Sequence, residues 1–263
     1  MTQYKIGEIA RLLGLTTQAL RFYEKEGVIT PEKSDSGTRY YTIGQIVQLL
    51  SFKKYRQVDF SVQEVVDHFR EDDLQTLSER LSAQSASLSA QAEMLARKAQ
   101  AVQDYACLVR DTQEEKERIA LCTRPPLYLL RVPLDRLGEI HAAERRALTA
   151  FIEAMPATGI AFTRRQESGA HTCLRLCTSE EVARRWSLPL HMTQPLPPTR
   201  CACICRSFET YAWDDASVDD VLGRIRAAGC SPDPAQELLG LHIASETRGG
   251  TVYLSTRVYV PIL

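Results

Sequence analysis

Between Gly44 and Gly138 the chain has no glycine, and between Pro31 and Pro125 it has no proline. Nothing in the covalent backbone therefore interrupts a helix across that interval. No apolar run approaches the roughly 20 residues that span a bilayer, and the basic-then-apolar layout of a secretory signal is missing. The expectation is a cytoplasmic protein with no membrane partner. Also missing are a nucleophile elbow, an HExxH pair, a P-loop and a GxGxxG turn, and His141, His171, His191 and His242 are scattered. No catalytic residue and no cofactor are expected. The cysteines have no Cys-x-x-Cys spacing, so no metal ligands are assigned, and all eight are expected as free thiols.

Net charge is also nearly absent, at −1 over 263 residues, but it is unevenly spread. Residues 1–58 hold nine Lys/Arg against five acids, giving +4, and the remaining 205 residues carry −5. A basic module on an acidic body suggests a local anionic partner for the N-terminus.

What fills the glycine-free interval is a strict period of seven. Leu74, Leu81, Leu88, Leu95, Val102 and Val109 recur at that spacing, and Ser78, Ser85, Ala92, Ala99 and Ala106 sit four residues after them. A heptad stripe with small alternate positions predicts a coiled coil over about 72–118 whose two backbones approach closely. Leu74 to Val109 would span roughly 50 Å at 1.5 Å per residue. The expected role is a homodimerisation shaft; a single long helix of an intramolecular bundle is the competing reading.

Before the shaft, Ile6, Ile9, Ala10 and Leu13 fall at helical spacing, and Gly14 stands where a left-handed cap ends that helix. Thr16 is placed to cap a second helix, with Leu15 and Leu20 as a hydrophobic staple. Two short helices across such a turn make a helix-turn-helix, whose second helix enters the major groove. Its outward positions would be Thr17, Gln18 and Arg21, with Tyr23 a turn later. Ser34-Asp35-Ser36-Gly37 then turns between two short extended runs, a wing whose Arg39, Tyr40 and Tyr41 would grip phosphates. Thr42 caps a third helix with Ile43, Ile46, Val47 and Leu50 on one face. Ser61 to Glu64 is a capping box opening a fourth, with Val65, Val66 and Phe69 as core.

Tyr4-Lys5-Ile6-Gly7-Glu8-Ile9-Ala10, Leu20-Arg21-Phe22-Tyr23-Glu24, Gly27-Val28-Ile29 and Gly37-Thr38-Arg39-Tyr40-Tyr41 together resemble the MerR family of transcription regulators over residues 1–70. The resemblance places Lys5, Thr17, Arg21, Tyr23, Arg39 and Tyr41 on DNA-contacting positions, and makes the shaft an antiparallel dimer coil. It implies double-stranded promoter DNA and RNA polymerase as partners, and activation by bending and untwisting DNA when an effector binds. The usual wing reads Gly-Tyr-Arg-Tyr-Tyr, and Thr38 replaces its first tyrosine.

Beyond Pro125-Pro126, expected to break the long helix, come a strand-like run at 127–132, a helix over 135–155 and strands at 159–165 and 172–177. A Pro-rich connection over 188–198 precedes a strand at 200–206, a helix at 217–228 and strands near 239–245 and 251–261. Two strand–helix–strand–strand units predict an α+β domain with a two-fold pseudo-repeat. Arg200 to Tyr211 and the ending Ser255-Thr256-Arg257-Val258-Tyr259-Val260-Pro261-Ile262 resemble the GyrI-like effector-binding domain. The fold class is thus multidomain: a winged helix-turn-helix with a small β wing at 1–70, a coiled-coil helix at 71–119 and a GyrI-like α+β domain at 120–263.

In that family the last strand carries a glutamate that counters cationic drugs, and here Arg257 occupies its position. Tyr253, Ser255, Arg257 and Tyr259 share one strand face. A buried guanidinium needs a carboxylate or an anionic ligand. Either the small-molecule effector is anionic or polar, or Arg257 pairs internally and another acid, Glu246 or Glu167, meets a cation. Tyr128, Phe151, Tyr211, Trp213, Tyr253 and Tyr259 are candidate pocket walls. Cys201, Cys203 and Cys205 alternate along one strand face; core packing is the preferred reading, with a thiol-redox or soft-metal sensor left open. Turnover of the ligand, known among GyrI-like relatives, also stays open.

Overall fold

The computed structural model describes residues 3–35, 37–71, 73–132, 134, 138, 140–209 and 213–263. The chain divides into two compact units, residues 1–94 and 95–263, which part inside one long helix.

In the first unit, β1 (Tyr4–Lys5) leads into α1 (Ile6–Leu13) and α2 (Thr17–Lys25). Gly14 closes α1 in the left-handed region at φ 61°, a conformation that glycine adopts without the Cβ penalty. Thr16 Oγ1 accepts from the Ala19 backbone N at 3.0 Å, the expected N-cap. β2 (Glu32–Lys33) and β3 (Arg39–Tyr41) form the hairpin, and β1 pairs with the other side of β3. α3 (Ile43–Arg56) and α4 (Val62–Glu71) complete the head. Ser61 Oγ and the Glu64 carboxylate exchange bonds with each other's backbone N at 3.2 and 2.6 Å, the reciprocal capping box.

The core-facing side of α3 differs from the expected one. Ile46, Leu49, Phe52 and Tyr55 are buried, whereas Ile43, Val47 and Leu50 are 66%, 56% and 50% exposed. The two stripes interleave at helical spacing, and only the position of the neighbouring helices selects between them. Phe69, expected as core, stacks on Phe52 but stays 39% exposed.

α5 (Leu74–Glu114) runs 41 residues. It ends at Glu114 rather than near 118, and Pro125-Pro126 breaks no helix. Glu117 takes φ 60° and the chain turns into β4 (Ile119–Arg124), a strand not anticipated. Ile119-Ala120-Leu121-Cys122 reads equally as helix or strand until a partner strand is present, here β9 (Thr199–Glu209).

The second unit holds β5 (Leu127–Leu130), α6 (Ala142–Glu153), β6 (Gly159–Arg164), β7 (Cys173–Thr178), α7 (Glu180–Trp186), β8 (Thr193–Leu196), β9, α8 (Asp215–Ala227), β10 (Leu238–Arg248) and β11 (Thr251–Pro261). The expected helix over 135–155 begins at Ala142 among the described residues, β8 occupies ground read as the Pro-rich connection, and α7, just before that connection, was not anticipated. All eight strands join one sheet in the order β4-β9-β11-β10-β6-β7-β5-β8. Alternation sends successive side chains to opposite faces. Leu254, Val258 and Val260 pack under Val218, Val221, Leu222 and Ile225 of α8, while Leu130 and Leu176 pack under Phe151 of α6. The other face carries a separate apolar cluster of Leu127, Leu129, Ala161, Cys177, Cys201, Leu239 and Tyr259. The sheet curls around this cluster: Arg124 on edge strand β4 donates to the carbonyl of Pro197, just past edge strand β8, at 2.5 Å.

Candidate functional site

On the first unit, α2 buries Leu20 and Tyr23 and turns Thr17, Gln18 and Arg21 outward. Lys5 is exposed beside the start of α1, where its backbone N donates to Glu8 Oε2 at 2.7 Å. Outward polar and cationic side chains on the first turns of a second helix are what a reader of base edges requires. The hairpin is held against this helix by one carboxylate. Glu24 accepts from Arg39 Nε on β3 at 2.5 Å and from Lys33 Nζ on β2 at 2.8 Å. The hydrogen bond from Arg39, with that from Lys33, holds the Glu24 carboxyl below its ordinary range. Sequence reasoning quoted Glu24 only as a motif letter; the available signal was a single acid opposite two hairpin cations.

Tyr23 and Tyr41, expected on the DNA side, are core residues instead. Tyr41 is 0% exposed and Tyr23 packs on Phe52 with ring centroids 4.3 Å apart. Their aromatic bulk fills the small core between helices and wing, while Arg39 and Tyr40 of the same strand stay half-buried.

On the second unit, Arg257 lies on the sheet face without α6 and α8, as strand alternation required. Its Nη2 donates to Glu115 Oε2 at 2.7 Å and its Nε to Cys205 Sγ at 3.3 Å. It is thus paired internally, with an acid that sequence reasoning did not name. Glu167 is 69% exposed beside Arg165, at 3.9 Å. Glu246 accepts from Lys116 Nζ at 3.4 Å, from Ser207 Oγ at 3.0 Å and from Arg248. The Arg248 hydrogen bond first, then Ser207 and Lys116, pull the Glu246 carboxyl down to about 2.

Among the described residues the expected aromatic wall does not assemble. Trp213 stacks on Phe162 in the core under α8, and Phe151, itself on α6, is buried against the sheet, both on the face opposite Arg257. Tyr128 alternates with Leu127 and Leu129 and so also points away from that face. Tyr211 lies outside the described residues. Tyr259 is 6% exposed within the apolar cluster, and Tyr253 donates its hydroxyl to Glu209 at 3.0 Å. Strand alternation can place residues of one strand together, but it says nothing about which face another element covers.

A ligand-sized cleft lies beside Arg257, between the end of α5 and strands β9–β11. This cleft, of about 360 Å³, is lined by Val109, Thr112, Gln113 and Lys116 on one side and by Cys205, Ser207, Ile243, Ala244, Ser245, Glu246, Arg248 and Ser255 on the other. Tyr105 Oη donates to the Ile243 carbonyl at 2.7 Å and pins α5 to β10 there. Thr112 is 6% exposed and its Oγ1 has no hydrogen-bond partner.

Cys122, Cys201, Cys203 and Cys205 gather on the same face across β4 and β9, as the register Cys122↔Cys201 dictates. Among the described residues no group of three or more His, Cys, Asp or Glu side chains is arranged to hold a metal. Burial pushes the Cys177 and Cys203 thiols up to about 12 and raises those of Cys122, Cys201 and Cys205. Thiolate is the reactive form, so these groups are expected to be slow nucleophiles. At pH 7.5 iodoacetamide should label them at least about tenfold more slowly in the folded protein than in urea, read by mass spectrometry. Equal rates would restore a thiol sensor.

A winged helix-turn-helix followed by a long helix and an α+β sheet unit defines a multidomain fold. Residues 4–76 match the model of the MerR HTH family regulatory proteins. The HTH-type transcriptional regulators CueR of Escherichia coli and of Salmonella typhi are each 40% identical over 60 residues, 22% of this chain and 44% of theirs. The chain therefore spans less than half the length of the curated relatives it matches. Among solved structures, a MerR-family transcriptional regulator from Bacillus cereus is 18% identical with a TM-score of 0.37, over 58% of this chain and 98% of its own. EcmrR in its DNA complex is 15% identical with a TM-score of 0.34, over 98% of this chain and 99% of its own. No helix among the described residues is long and apolar enough to cross a membrane.

Proposed function

We propose that the chain is a homodimeric transcription regulator, an activator, that reads double-stranded promoter DNA with α2 and the wing and answers a small-molecule effector bound in its C-terminal unit. The observation that carries this reading is the α2 surface, with Thr17, Gln18 and Arg21 outward beside a wing tied to the same helix through Glu24. CueR, a relative matched over this segment, is named a transcriptional regulator. RNA polymerase is the partner that an activator of this type would serve, by distorting the promoter it occupies.

The GyrI-like reading of the second unit is supported by its topology. The strand order β9-β11-β10 is mirrored by β5-β7-β6 across the β10/β6 pair, and each half has a helix after its first strand. The cleft at the end of α5 is the proposed effector site. It lies within reach of the proposed dimer helix, whose Leu74, Leu95 and Val102 are 84%, 66% and 57% exposed on the single chain. An exposed heptad stripe on a helix of this length is what a second copy would cover.

The test is to select duplexes from a random pool with the full chain and titrate them at fixed salt. Arg21→Ala should weaken the selected duplex about tenfold or more, in keeping with the 1–3 kcal/mol of a good base contact. Unchanged affinity would remove α2 as the reader. For the seam, Ala99→Leu should shift the sedimentation equilibrium toward monomer, because the bulkier side chain keeps the backbones apart. An unaltered dimer would place the interface elsewhere.

A further inference from the structure

The wall of the cleft at the end of α5 carries more cationic than anionic side chain. Lys116 and Arg248 both turn to one atom, Oε1 of Glu246, which also accepts from Ser207 Oγ. One carboxylate is thus divided between two cations, and each cation has more donors than that single oxygen can take. On the α5 side, the hydroxyl of Thr112 is buried at the cleft with no partner. Buried polar groups are otherwise satisfied nearly everywhere in folded proteins, so an orphan lining a ligand-sized space points to a missing partner. The volume, about 360 Å³, lies at the small end of the ~300–1,000 Å³ that hold organic ligands. A lipophilic cation would meet two cations there, and the carboxylate that could receive it is already committed.

We infer that this cleft takes a small hydroxylated oxyanion, a hydroxycarboxylate or a phosphate monoester, whose anionic oxygens bridge Lys116 and Arg248 and whose hydroxyl pairs with Thr112. This assignment rests on the cleft being the effector site proposed above and names the chemistry it selects. Bidentate capture of a carboxylate or phosphate is the natural use of a guanidinium beside an ammonium. Arg257 adds a reserve on the same border: its carboxylate partner, Glu115, is 55% exposed while Arg257 itself is 18% exposed. An intramolecular carboxylate on that guanidinium is already the type of group that the site prefers. Because Thr112 sits on α5 and Arg248 on β10, the ligand adds polar contacts beside the Tyr105–Ile243 bond. It fastens the last turns of α5 to the sheet.

The experiment uses the full chain at constant ionic strength, with citrate, glycerol 3-phosphate, inorganic phosphate, neutral glycerol and tetraphenylphosphonium as probes. Calorimetric titration and thermal denaturation are read together, since a ligand of the native state raises the midpoint as its concentration passes Kd. Citrate or glycerol 3-phosphate should bind and raise the midpoint by several degrees, and which of the two does so identifies the oxyanion. Glycerol and tetraphenylphosphonium should have no effect. Lys116→Ala combined with Arg248→Ala should weaken oxyanion binding at least about tenfold. Thr112→Val should raise the midpoint without ligand and weaken the hydroxylated anions, while leaving inorganic phosphate unchanged. The assignment is overturned if no oxyanion binds, if the double variant binds as well as the parent, or if only the lipophilic cation binds. The same proteins are titrated with the selected duplex. An oxyanion that binds through these residues but leaves promoter output unchanged refutes the effector role and not the ligand class. A promoter response to tetraphenylphosphonium alone refutes the ligand class and not the effector role.

Discussion

Gly240→Ala is expected to destabilise the second unit by about 3 kcal/mol, the upper end of what overpacking costs in a filled core. A Cβ at this position would lie 2.3 Å from Trp213 Cζ2, 2.8 Å from Cη2 and 3.0 Å from Thr256 Cγ2. The indole has little room to withdraw. It stacks on Phe162 with centroids 6.0 Å apart, lies equally near Phe208, and is 5% exposed. The backbone of β10 is held by ladders to β6 and β11, so the strand cannot shift alone. For a unit of this size the loss corresponds to a fall in Tm of roughly 6–12 °C. Tryptophan near-ultraviolet dichroism during melting reads the right unit. Trp213→Phe in the same chain should recover part of the loss, because the smaller ring vacates the space. A variant that melts within about 2 °C of the parent, with no coupling to Trp213, would mean that the ring and strand are not packed as described.

Glu24→Gln is expected to reduce affinity for the selected duplex about tenfold, comparable to losing a direct base contact, although Glu24 itself is acidic and would repel phosphate. Its carboxylate is the tie between α2 and both strands of the hairpin, through Arg39 and Lys33. The amide keeps the shape and removes the charge, so the wing loses its fixed position relative to α2. The freed cations should at the same time steepen the salt dependence by about one unit, since the head gains a positive charge. A change in slope with full affinity would show that wing placement does not matter.

The pH dependence of this tie follows from the direction of the shift. The carboxyl of Glu24 is held below its ordinary 4.5 in the folded head. A group whose folded value is depressed contributes fully above its unfolded value and loses that contribution as pH falls through the folded one. Wing-dependent duplex affinity should therefore be flat from neutral pH down to the usual carboxylate range and fall only below it. In Glu24→Gln that acid limb should be absent. An acid limb of equal size in both proteins would assign it to other carboxylates.

How much was legible in the sequence differs sharply between the two units. In the first, helix ends are specified by the residues that make them: Gly14 as the left-handed cap that closes α1, Thr16 as the N-cap of α2, Ser61 with Glu64 as a reciprocal box opening α4. Because these bonds span only three or four residues, spacing alone predicts them. The seven-residue stripe on α5 was legible for the same reason. The side of a residue was not. Tyr23 and Tyr41 were expected outward and lie inward, and Ile43, Val47 and Leu50 the reverse, because a stripe on a short helix names two faces and the neighbours choose one.

In the second unit the sequence determined which residues of a strand share a face, and so put Arg257 with Ser255 and Tyr259. Tertiary structure alone decided what meets that face. β4 exists only because β9 is there to pair with it, and Glu115, four residues before β4, reaches Arg257 from 142 positions away in sequence. Trp213 and Phe151 were lost to the opposite face by the placement of α8 and α6. The cleft has the same origin. Thr112 and Arg248 are far apart in the chain, and no local spacing records that the end of one helix lies across the end of a hairpin. Local bonds are written in short-range pattern, whereas a site assembled by chain reversal depends on which surfaces the whole core leaves facing each other.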